Sequence, residues 1–412
     1  MYFTTTKPLK GTIKHRYTDF VVQELLLNGE KCRVLSEGIS EEIIIPENRD
    51  TKQYLHCTMQ KVNIDVQNAI KSIALNQKFG KTRIGFAGLK DKRGVTCKRI
   101  SIFEPNLEQL KKFKYNQIKL FDLLWDNNKI ELGDLKGNAF TVIIRDIDLN
   151  ESEIKDILDK FAKQILLGVP NYFGEQRFGG VRQVTHQVGK LFFQDKLKEA
   201  VLLYLGKTNE KENEDTKEAR TLAANEKYLD AFKKFKGNEF RYERAILNSL
   251  IKEPNDFVKA FQQLPHNLMI LFPHAYQSYL FNKYLDLRKE KLGKEFFKVQ
   301  KGDKLDSEGN ILGPIFGNDF KFSEGFSGEI EKQILKDEGF ELSQFKVKRF
   351  QQMSVQGSSR LIKLDVLDFK LLEIGNDEFH EGKKLVKISF SLTKNSYATV
   401  VLNELMKGDN NA

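Results

Sequence analysis

The sequence is poor in the residues that mark secreted, disulfide-bonded or membrane-spanning proteins. It has three cysteines in 412 residues, Cys32, Cys57 and Cys97, and no Cys-x-x-Cys pair. An odd and sparse set of cysteines is typical of a reducing compartment and argues against a disulfide framework. No run of about eighteen apolar residues is present, which excludes a transmembrane helix, and the first residues contain no apolar signal region. We therefore expect a cytoplasmic protein.

The chain also lacks the residue patterns that hold metal ions or nucleotide cofactors. Its six histidines never stand at the spacing of zinc ligands, and the His-x-Glu and Cys-x-x-Cys ligands of a zinc deaminase are missing. The segment 79–82 resembles the end of a phosphate-binding loop, but Leu75 occupies the upstream position that requires glycine. No Gly-x-Ser-x-Gly motif is present. We therefore expect chemistry on carboxylate, amine and aromatic groups, without a metal or nucleotide cofactor.

The aromatic residues are unevenly distributed among types, with one tryptophan and 32 phenylalanines. Most of these phenylalanines must fill the core, so none of them is a base-stacking residue by default. A chain of 412 residues exceeds the usual size of a single core, which predicts two domains.

Positive charge is in excess and is concentrated in one segment. The net charge is +10 and the isoelectric point is near 9.1, which favours an anionic partner. The segment 81–99 holds seven lysine or arginine residues against one acidic residue, Asp91. A local basic surface of this kind favours nucleic acid as the partner.

The acidic residue of this segment has an unusual setting. Asp91 lies in a short loop between Gly88 and Gly94, and its neighbours are Lys90, Lys92 and Arg93. Residues 84–87 and 95–102 alternate like strands, so we expect the loop to join two strands at a sheet edge. Nearby positive charge keeps a carboxylate ionised and attracts a polyanion. These features indicate a nucleophilic aspartate that acts on a nucleic acid, although the same run is also typical of a solvated surface loop.

The apolar pattern predicts strands and helices in the first 180 residues. Strand-like alternation covers 12–26 and 140–145, whereas helical spacing covers 60–74 and 151–167. Asp65 is expected near the start of the first helix. The segment 168–180 then breaks every regular period.

The middle of the chain has a different pattern. Helical spacing dominates from 181 to 288, and short glycine-rich strands follow up to 350. We expect the highly charged stretch 207–236 to be exposed. Strands return at 359–375 and 384–393, before a closing helix. Strands at both ends with a helical middle predict a mixed α/β domain with an inserted domain.

Five segments of the chain stand in the same order as five motifs of the TruD family of pseudouridine synthases, which the chain resembles over nearly its whole length. The family patterns are K-x5-F, AGxKDxxAxTxQ, GNxF, NYFGxQRFG and FSLPxGSYAT. The matching segments are Lys14 with Asp19 and Phe20, the Asp91 loop, 137–140, 171–179, and 389–399. Residues 171–179 match their pattern almost literally.

The resemblance implies the fold, the substrate and the domain limits. The fold is mixed α/β, with a catalytic domain of the pseudouridine synthase type formed by 1–180 and 351–412. A family-specific TRUD domain is inserted at 181–350. The implied substrate is tRNA, with uridine 13 as the usual target, and no cofactor is implied. We expect a monomer.

The resemblance also implies roles for individual residues. Asp91 falls on the catalytic aspartate and Lys14 on the active-site basic residue of the family. The residues that fall on its pocket-lining positions are Phe20, Asn138, Phe140 and Phe390. Lys90 and Arg93, which flank Asp91, are expected to contact the substrate.

These residue types suit the isomerisation of uridine. Asp91 could attack the ribose C1′ or assist proton removal from C2′, and the sequence leaves both routes open. Lys14 would keep Asp91 ionised, and Phe140 would stack on the flipped base. Asn138 could hydrogen-bond a base edge or hold the catalytic loop. Phe20 and Phe390 would form an apolar wall, although phenylalanines in strands are also ordinary core residues.

Two alternatives follow from the same residues. The chain could perform this chemistry on a broader set of RNAs, or it could be a catalytically idle tRNA-binding or chaperone protein. The presence of both Asp91 and Lys14 argues against the idle protein. Three departures from the family patterns affect substrate positioning: Gly94 stands for alanine, Lys98 follows Cys97 where glutamine is usual, and 393–395 replaces Pro-x-Gly.

Overall fold

The computed structural model describes residues 2–36, 38–39, 42–88, 90, 92–347 and 349–408. The chain forms two compact units. One comprises Tyr2–Val169 and the chain from Leu364, and the other comprises Pro170–Lys363. The helical unit is therefore wider at both ends than the 181–350 predicted for the insertion, and the assignment of 1–180 with 351–412 as a catalytic domain stays a prediction.

The first unit is built on a mixed sheet. Its strands are β1 Thr12–Ile13, β2 Phe20–Leu25, β3 Tyr54–Val62, β4 Ile84–Phe86, β5 Val95–Phe103, β6 Ile118–Asp126, β7 Gly137–Ile147, β13 Val366–Asn376 and β14 Lys384–Thr393. Over the described residues these nine strands form one sheet in the order β13-β14-β7-β2-β5-β3-β6, with β1 on β7 and β4 on β5. Only the pair β2–β5 among these runs parallel. The predicted mixed α/β class is confirmed.

Four helices accompany this sheet in the described part of the unit: α1 Val66–Asn76, α2 Leu107–Lys111, α3 Glu151–Ile165 and α13 Ala398–Met406. Helix α3 begins where predicted, because the Asn150 side chain caps the N–H of Glu153 and the Glu153 side chain caps the N–H of Asn150. Its apolar positions from Ile154 to Ile165 are buried. It ends at Ile165, two residues earlier than predicted.

The prediction of a helix from residue 60 is wrong at its start. Residues 60–62 finish strand β3, because Gln60, Lys61 and Val62 pair with the first residues of β5. Helix α1 begins after Asp65, whose side chain accepts a hydrogen bond from the N–H of Asn68. The apolar face of α1 then packs on β3 and β5 in one hydrophobic core of this unit. Likewise, a 3₁₀ turn at Tyr17–Asp19 interrupts the strand predicted over 12–26.

The second unit is mainly helical. Its helices are α4 Thr185–Phe193, α5 Leu197–Gly206, α6 Glu214–Ala224, α7 Tyr228–Lys234, α8 Arg241–Lys252, α9 Phe257–Phe261, α10 His266–Met269, α11 Leu271–Leu292 and α12 Gly325–Asp337. Strands β9 Lys304–Leu305, β10 Ile311–Ile315 and β11 Ser358–Leu361 form a small sheet in the order β11-β10-β9. Short strands β8 Val169–Pro170 and β12 Lys363–Leu364 stand at the unit limits. No helix in the described chain is both long enough and apolar enough to cross a membrane.

Candidate active site

The loop that contains the predicted nucleophile joins β4 to β5. These two strands pair antiparallel, with Gly85 opposite Ser101, so the predicted strand-loop-strand arrangement is confirmed. Leu89 and Asp91 lie outside the described residues, and the role of Asp91 therefore stays a prediction. The described residues of the loop are held by contacts to the neighbouring strands.

A buried ion pair anchors the loop at Lys90. Its Nζ donates a hydrogen bond of 2.8 Å to Oε2 of Glu24 on β2, and the two side chains are 3% and 0% exposed. The second carboxylate oxygen of Glu24 accepts a hydrogen bond of 3.1 Å from the backbone N–H of Arg99. Because the carboxylate binds both the loop and β5, it fixes the residue that directly precedes Asp91.

A second contact anchors the loop at Gly88. The fully buried Lys98 of β5 donates a hydrogen bond from Nζ to the carbonyl oxygen of Gly88. Its Nζ also lies 4.4 Å from the centroid of the Phe86 ring. Burial lowers the pKa of Lys98 to about 7; repulsion from Lys90 and Lys61 acts in the same direction, while attraction to Glu24 opposes it.

The end of the loop fits closely against β2. Gly94 has a φ of 150°, and a Cβ atom there would lie 2.7 Å from the carbonyl oxygen of Phe20. The alanine that is more common at this position in the family pattern would therefore require the backbone to shift. The departure from the family pattern at Gly94 thus has a local steric reason.

Lys14 lies beside Phe20 at the start of β2. Its backbone is in the left-handed region with φ of 59°, and the residue is 4% exposed. Its Nζ lies 4.4 Å from the centroid of the Phe20 ring, a cation–π distance. A lysine held in this strained and buried conformation is unusual for a surface residue, so the geometry favours a functional role for it.

The segment between Lys14 and Phe20 is fixed by a buried charge network. Arg145 of β7 binds both carboxylate oxygens of Asp19, at 2.9 and 3.0 Å. Asp19 also accepts a hydrogen bond of 2.7 Å from the N–H of Arg16. Arg145 continues to Asp377 at 3.1 Å. This network holds the turn at Tyr17–Asp19, which follows Lys14.

Three of the predicted pocket residues form one aromatic cluster, in which Phe140 and Phe390 are stacked. The centroids of Phe20 and Phe140 are 6.2 Å apart, and those of Phe140 and Phe390 are 5.3 Å apart with an interplanar angle of 24°. The strand register produces the second contact, because Phe140 lies opposite Phe390. All three residues are buried, and Phe140 is the most exposed of them at 8%. The structure therefore brings together Lys14 and the three phenylalanines.

Asn138 lies on the same face of the sheet. It pairs with Glu24 on one side and with Leu392 on the other, which puts their side chains on one face. Among the described residues, no group donates a hydrogen bond to the buried Oδ1 atom of Asn138. A buried acceptor without a donor costs about 1–3 kcal/mol. A donor from a substrate or from the catalytic loop would remove this cost.

The opposite face of the sheet carries a groove of about 1040 Å³. The floor of the groove is formed by Val21, Gln60 and Val95. Their side chains lie on the face of the sheet opposite to that of Glu24. The walls of the groove are 15–18, 34–36 with Gly38, and Asn116, Gln117 and Lys119. Its basic residues are Arg16, Arg93, Lys119 and, when protonated, His15. Lys90 and Arg93 therefore separate: the first is buried against Glu24 and the second lines the groove.

The segment that matches its family pattern almost literally is a structural brace within the second unit. Asn171 donates to the carbonyl of Leu361 at 2.9 Å and accepts from Arg360 at 2.8 Å. Arg177 donates to the hydroxyl of Ser278 on α11 at 3.0 Å. The guanidinium of Arg360 lies 4.1 Å from the centroid of the Phe173 ring. These contacts explain why the motif needs its amide, aromatic and arginine residues at fixed positions.

Sequence reasoning missed two residues of the site, Glu24 and Lys98. The sequence contained a signal for both. Each is a charged residue in a strand, and an apolar residue two positions away is buried on the same face. Val22 precedes Glu24, and Ile100 follows Lys98, on the same face of their strands. A charged residue on a buried face must have a partner or a function.

Comparison with known proteins identifies one family. The model of that family, described as tRNA pseudouridine synthase D (TruD), matches residues 1–311 and 304–405. A protein of Methanosarcina acetivorans named Probable tRNA pseudouridine synthase D is 34% identical, with 99% of this chain and 95% of the relative covered. A protein of the same name from Methanococcus vannielii is 36% identical, with coverage of 98% and 97%.

A solved structure shows the same fold. The crystal structure of a Methanosarcina mazei protein assigned to tRNA pseudouridine synthase D superposes with a TM-score of 0.78 at 32% identity. The alignment covers 99% of this chain and 96% of that protein. Both the sequence relatives and this structure therefore match the chain from end to end.

Proposed function

Because the chain belongs to the TruD family of tRNA pseudouridine synthases, which are isomerases that act on RNA, we propose that it converts uridine 13 of tRNA to pseudouridine with Asp91 as the nucleophile. In this reaction the N1–C1′ bond of the nucleotide breaks and a C5–C1′ bond forms. N1 gains a proton and C5 loses one, so the atoms balance without a cofactor. Asp91 either attacks C1′ or takes part in proton removal from C2′.

The anchoring of the loop is the observation that carries the proposal. The residue before Asp91 is fixed by a buried ion pair to Glu24 at 2.8 Å. A nucleophile must be held close to its target atom, and such positioning accounts for a large share of an enzymatic rate. A solvated surface loop has no need of a buried ion pair.

Lys14 supplies the cation of the site. Its ammonium lies over the Phe20 ring at 4.4 Å, and Asp19 beside it is held by Arg145. A fixed cation favours the ionised form of a neighbouring carboxylate, which is the nucleophilic form. Asn138 offers its Oδ1 atom, which accepts no hydrogen bond from the described residues, to an N–H of the base or to the loop. The rings of Phe20, Phe140 and Phe390 form the apolar wall behind these groups.

The groove on the other face suits the RNA backbone. Arg16, Arg93 and Lys119 line it, and their charges would neutralise phosphates. Tyr17 adds an aromatic ring that is 43% exposed, with its hydroxyl accepting a hydrogen bond of 2.8 Å from Asn63. An exposed and oriented ring can stack on a base. Arg93 would connect this groove to the catalytic loop, since it stands two positions after Asp91.

The experiment uses tRNA transcripts that carry tritium at uracil C5. Isomerisation removes the hydrogen from C5, so product formation releases tritium to water. We expect tritium release from a transcript with uridine at position 13. When position 13 is cytidine, the tritium released from that position should be lost. Unchanged release from the cytidine transcript would contradict the target, and release from other RNA classes at similar rates would support a broader substrate range. As a tRNA-modifying enzyme, the protein is further proposed to act in the cytoplasm, as a monomer.

A further inference from the structure

Two side chains from neighbouring strands bind the catalytic loop. Strands β2 and β5 run parallel, with Val22 opposite Thr96. Glu24 and Lys98 each stand two residues further along, so their side chains lie on one face of the sheet. Glu24 holds the side chain of Lys90, and Lys98 holds the carbonyl of Gly88.

These contacts are costly for the fold. Glu24, Lys61 and Lys98 are each 0% exposed, and Lys90 is 3% exposed in its side chain. Removing ionic groups from water is unfavourable, and apolar residues of similar volume often stabilise a protein as well or better. The groups that act on Lys98 are Glu24 from β2, Lys61 from β3, Lys90 from the loop and Cys32. A need to hold the loop in a fixed position explains these buried charged groups better than a contribution to stability does.

We propose that Glu24 and Lys98 are positioning residues for the reaction, which fix the loop at Lys90 and Gly88 and so hold Asp91 at its working distance from the ribose. This inference rests on the proposed function. Consecutive Cα atoms are about 3.8 Å apart, so a fixed Lys90 limits where the next residue can lie. Neither residue is proposed to contact the reacting atoms. Each acts through the backbone of the loop.

The two tethers have different chemistry, which makes them separable. Glu24 binds the loop through a side chain–side chain ion pair, so its charge is essential as long as Lys90 is charged. Lys98 binds a backbone carbonyl, so any long cationic donor can replace it in part. Glu24→Gln therefore leaves the ammonium of Lys90 buried without a counter-charge, whereas Glu24→Gln with Lys90→Gln removes that charge as well. For Lys98, the matched pair of variants is Lys98→Met and Lys98→Arg.

The test measures single-turnover and steady-state tritium release from tRNA by these variants at a temperature where circular dichroism shows each to be folded. Loss of positioning acts on kcat, because a misplacement of about 1 Å can cost roughly 100-fold. We expect Glu24→Gln and Lys98→Met to lower kcat about 30- to 100-fold, with KM and tRNA affinity within about three-fold. Lys98→Arg and the double variant should each recover at least about ten-fold of the loss.

A buried ion pair elsewhere provides the control. Arg288 and Asp303 in the second unit are both 0% exposed in their side chains and 2.8 Å apart. Asp303→Asn should lower the unfolding temperature as Glu24→Gln does, but should leave kcat within about three-fold. An equal loss of kcat in Asp303→Asn would show a general effect of lost stability and would overturn the proposal.

The outcomes distinguish this inference from the proposed function. One outcome would overturn the positioning role of Glu24 and Lys98 but leave the proposed function intact. In this outcome Asp91→Asn is inactive, while Glu24→Gln and Lys98→Met have activities within about three-fold of the wild type. Absence of tritium release by the wild type would overturn the proposed function and leave no reaction for the loop to position. If Glu24→Gln does not fold, the comparison of Lys98→Met with Lys98→Arg decides alone, and equal activity of these two would contradict the proposal.

Discussion

Arg145 grips Asp19 with two hydrogen bonds, from Nε to Oδ2 at 2.9 Å and from Nη2 to Oδ1 at 3.0 Å, in a buried position five residues beyond Lys14. A planar guanidinium that binds both oxygens of a carboxylate fixes its orientation as well as its position. Asp19 in turn holds the N–H of Arg16 at 2.7 Å. The segment from Lys14 to Asp19 is therefore held from β7, while Gly88 and Lys90 of the catalytic loop are held from β2 and β5.

Breaking this pair should affect both stability and activity. Asp19→Asn leaves Arg145 partly unpaired in a buried site, so we expect the free energy of unfolding to fall by about 3–5 kcal/mol. Because the segment that this pair holds follows Lys14 directly, kcat should fall as well. Urea denaturation followed by fluorescence measures the first effect and tritium release the second. The half-exposed pair between Arg33 and Asp122 is the control, and Asp122→Asn should cost less than about 1 kcal/mol.

The same network predicts a loss of stability in acid. Burial raises the pKa of Asp377, but hydrogen bonds from the N–H groups of Asp146 and Phe379, from His380 and from Arg145 outweigh it and lower the pKa from 3.8 to about 2. A carboxyl group with a lowered pKa in the folded state stabilises the protein above 3.8. That contribution is lost as the pH falls from 3.8 towards 2. When denaturation midpoints are measured from pH 5 to pH 2, they should decrease between pH 3.8 and pH 2. In Asp377→Asn, the decrease of the midpoint with falling pH should be smaller.

Gly137 should not tolerate a side chain. A Cβ atom at this position would lie 2.1 Å from the carbonyl oxygen of Leu392 on the paired strand β14. We expect Gly137→Ala to lower the free energy of unfolding by about 1–3 kcal/mol or more, since backbone must move to make room. Gly80→Ala is the matched control, because the nearest atom to its new Cβ would be 3.7 Å away. A thermal melt of both variants checks the prediction, and equal melting temperatures would contradict it.

Arg93 should contribute one phosphate contact. We expect Arg93→Gln to weaken tRNA binding and to reduce the slope of log K against log salt concentration by about 1. Lys155 on α3 is exposed and lies outside the groove residues, so Lys155→Gln should leave both affinity and slope unchanged. Filter binding at several salt concentrations measures both quantities. A slope that is the same in the two variants would remove Arg93 from the RNA-binding surface.

The sequence predicted the site best where its signals were local. The strands on either side of the Asp91 loop follow from alternation and from glycines, and β4 and β5 form where expected. Helix α3 follows from the Asn150 cap and the apolar spacing behind it. The predicted start of α1 was wrong because Gln60, Lys61 and Val62 fit a helical pattern as well as a strand. Pairing with β5 decided in favour of the strand.

Contacts between distant residues could not be predicted in the same way. The ion pair between Glu24 and Lys90 joins residues that are 66 positions apart, and Lys98 reaches Gly88 across the turn of a strand pair. The stack of Phe140 on Phe390 depends on the pairing of β7 with β14. Alternation alone cannot tell which phenylalanines line a pocket and which fill the core. The roles of Phe20, Phe140 and Phe390 in base stacking remain predictions.

The most direct test of the account compares the wild type with Asp91→Asn in tritium release from tRNA labelled at uracil C5. The substitution keeps the size of the side chain and removes the nucleophilic charge. We predict release by the wild type and none above background by Asp91→Asn, with the tRNA dissociation constants of the two proteins within a few-fold of each other. Tritium release by Asp91→Asn at the rate of the wild type would contradict the assignment of Asp91 as the nucleophile.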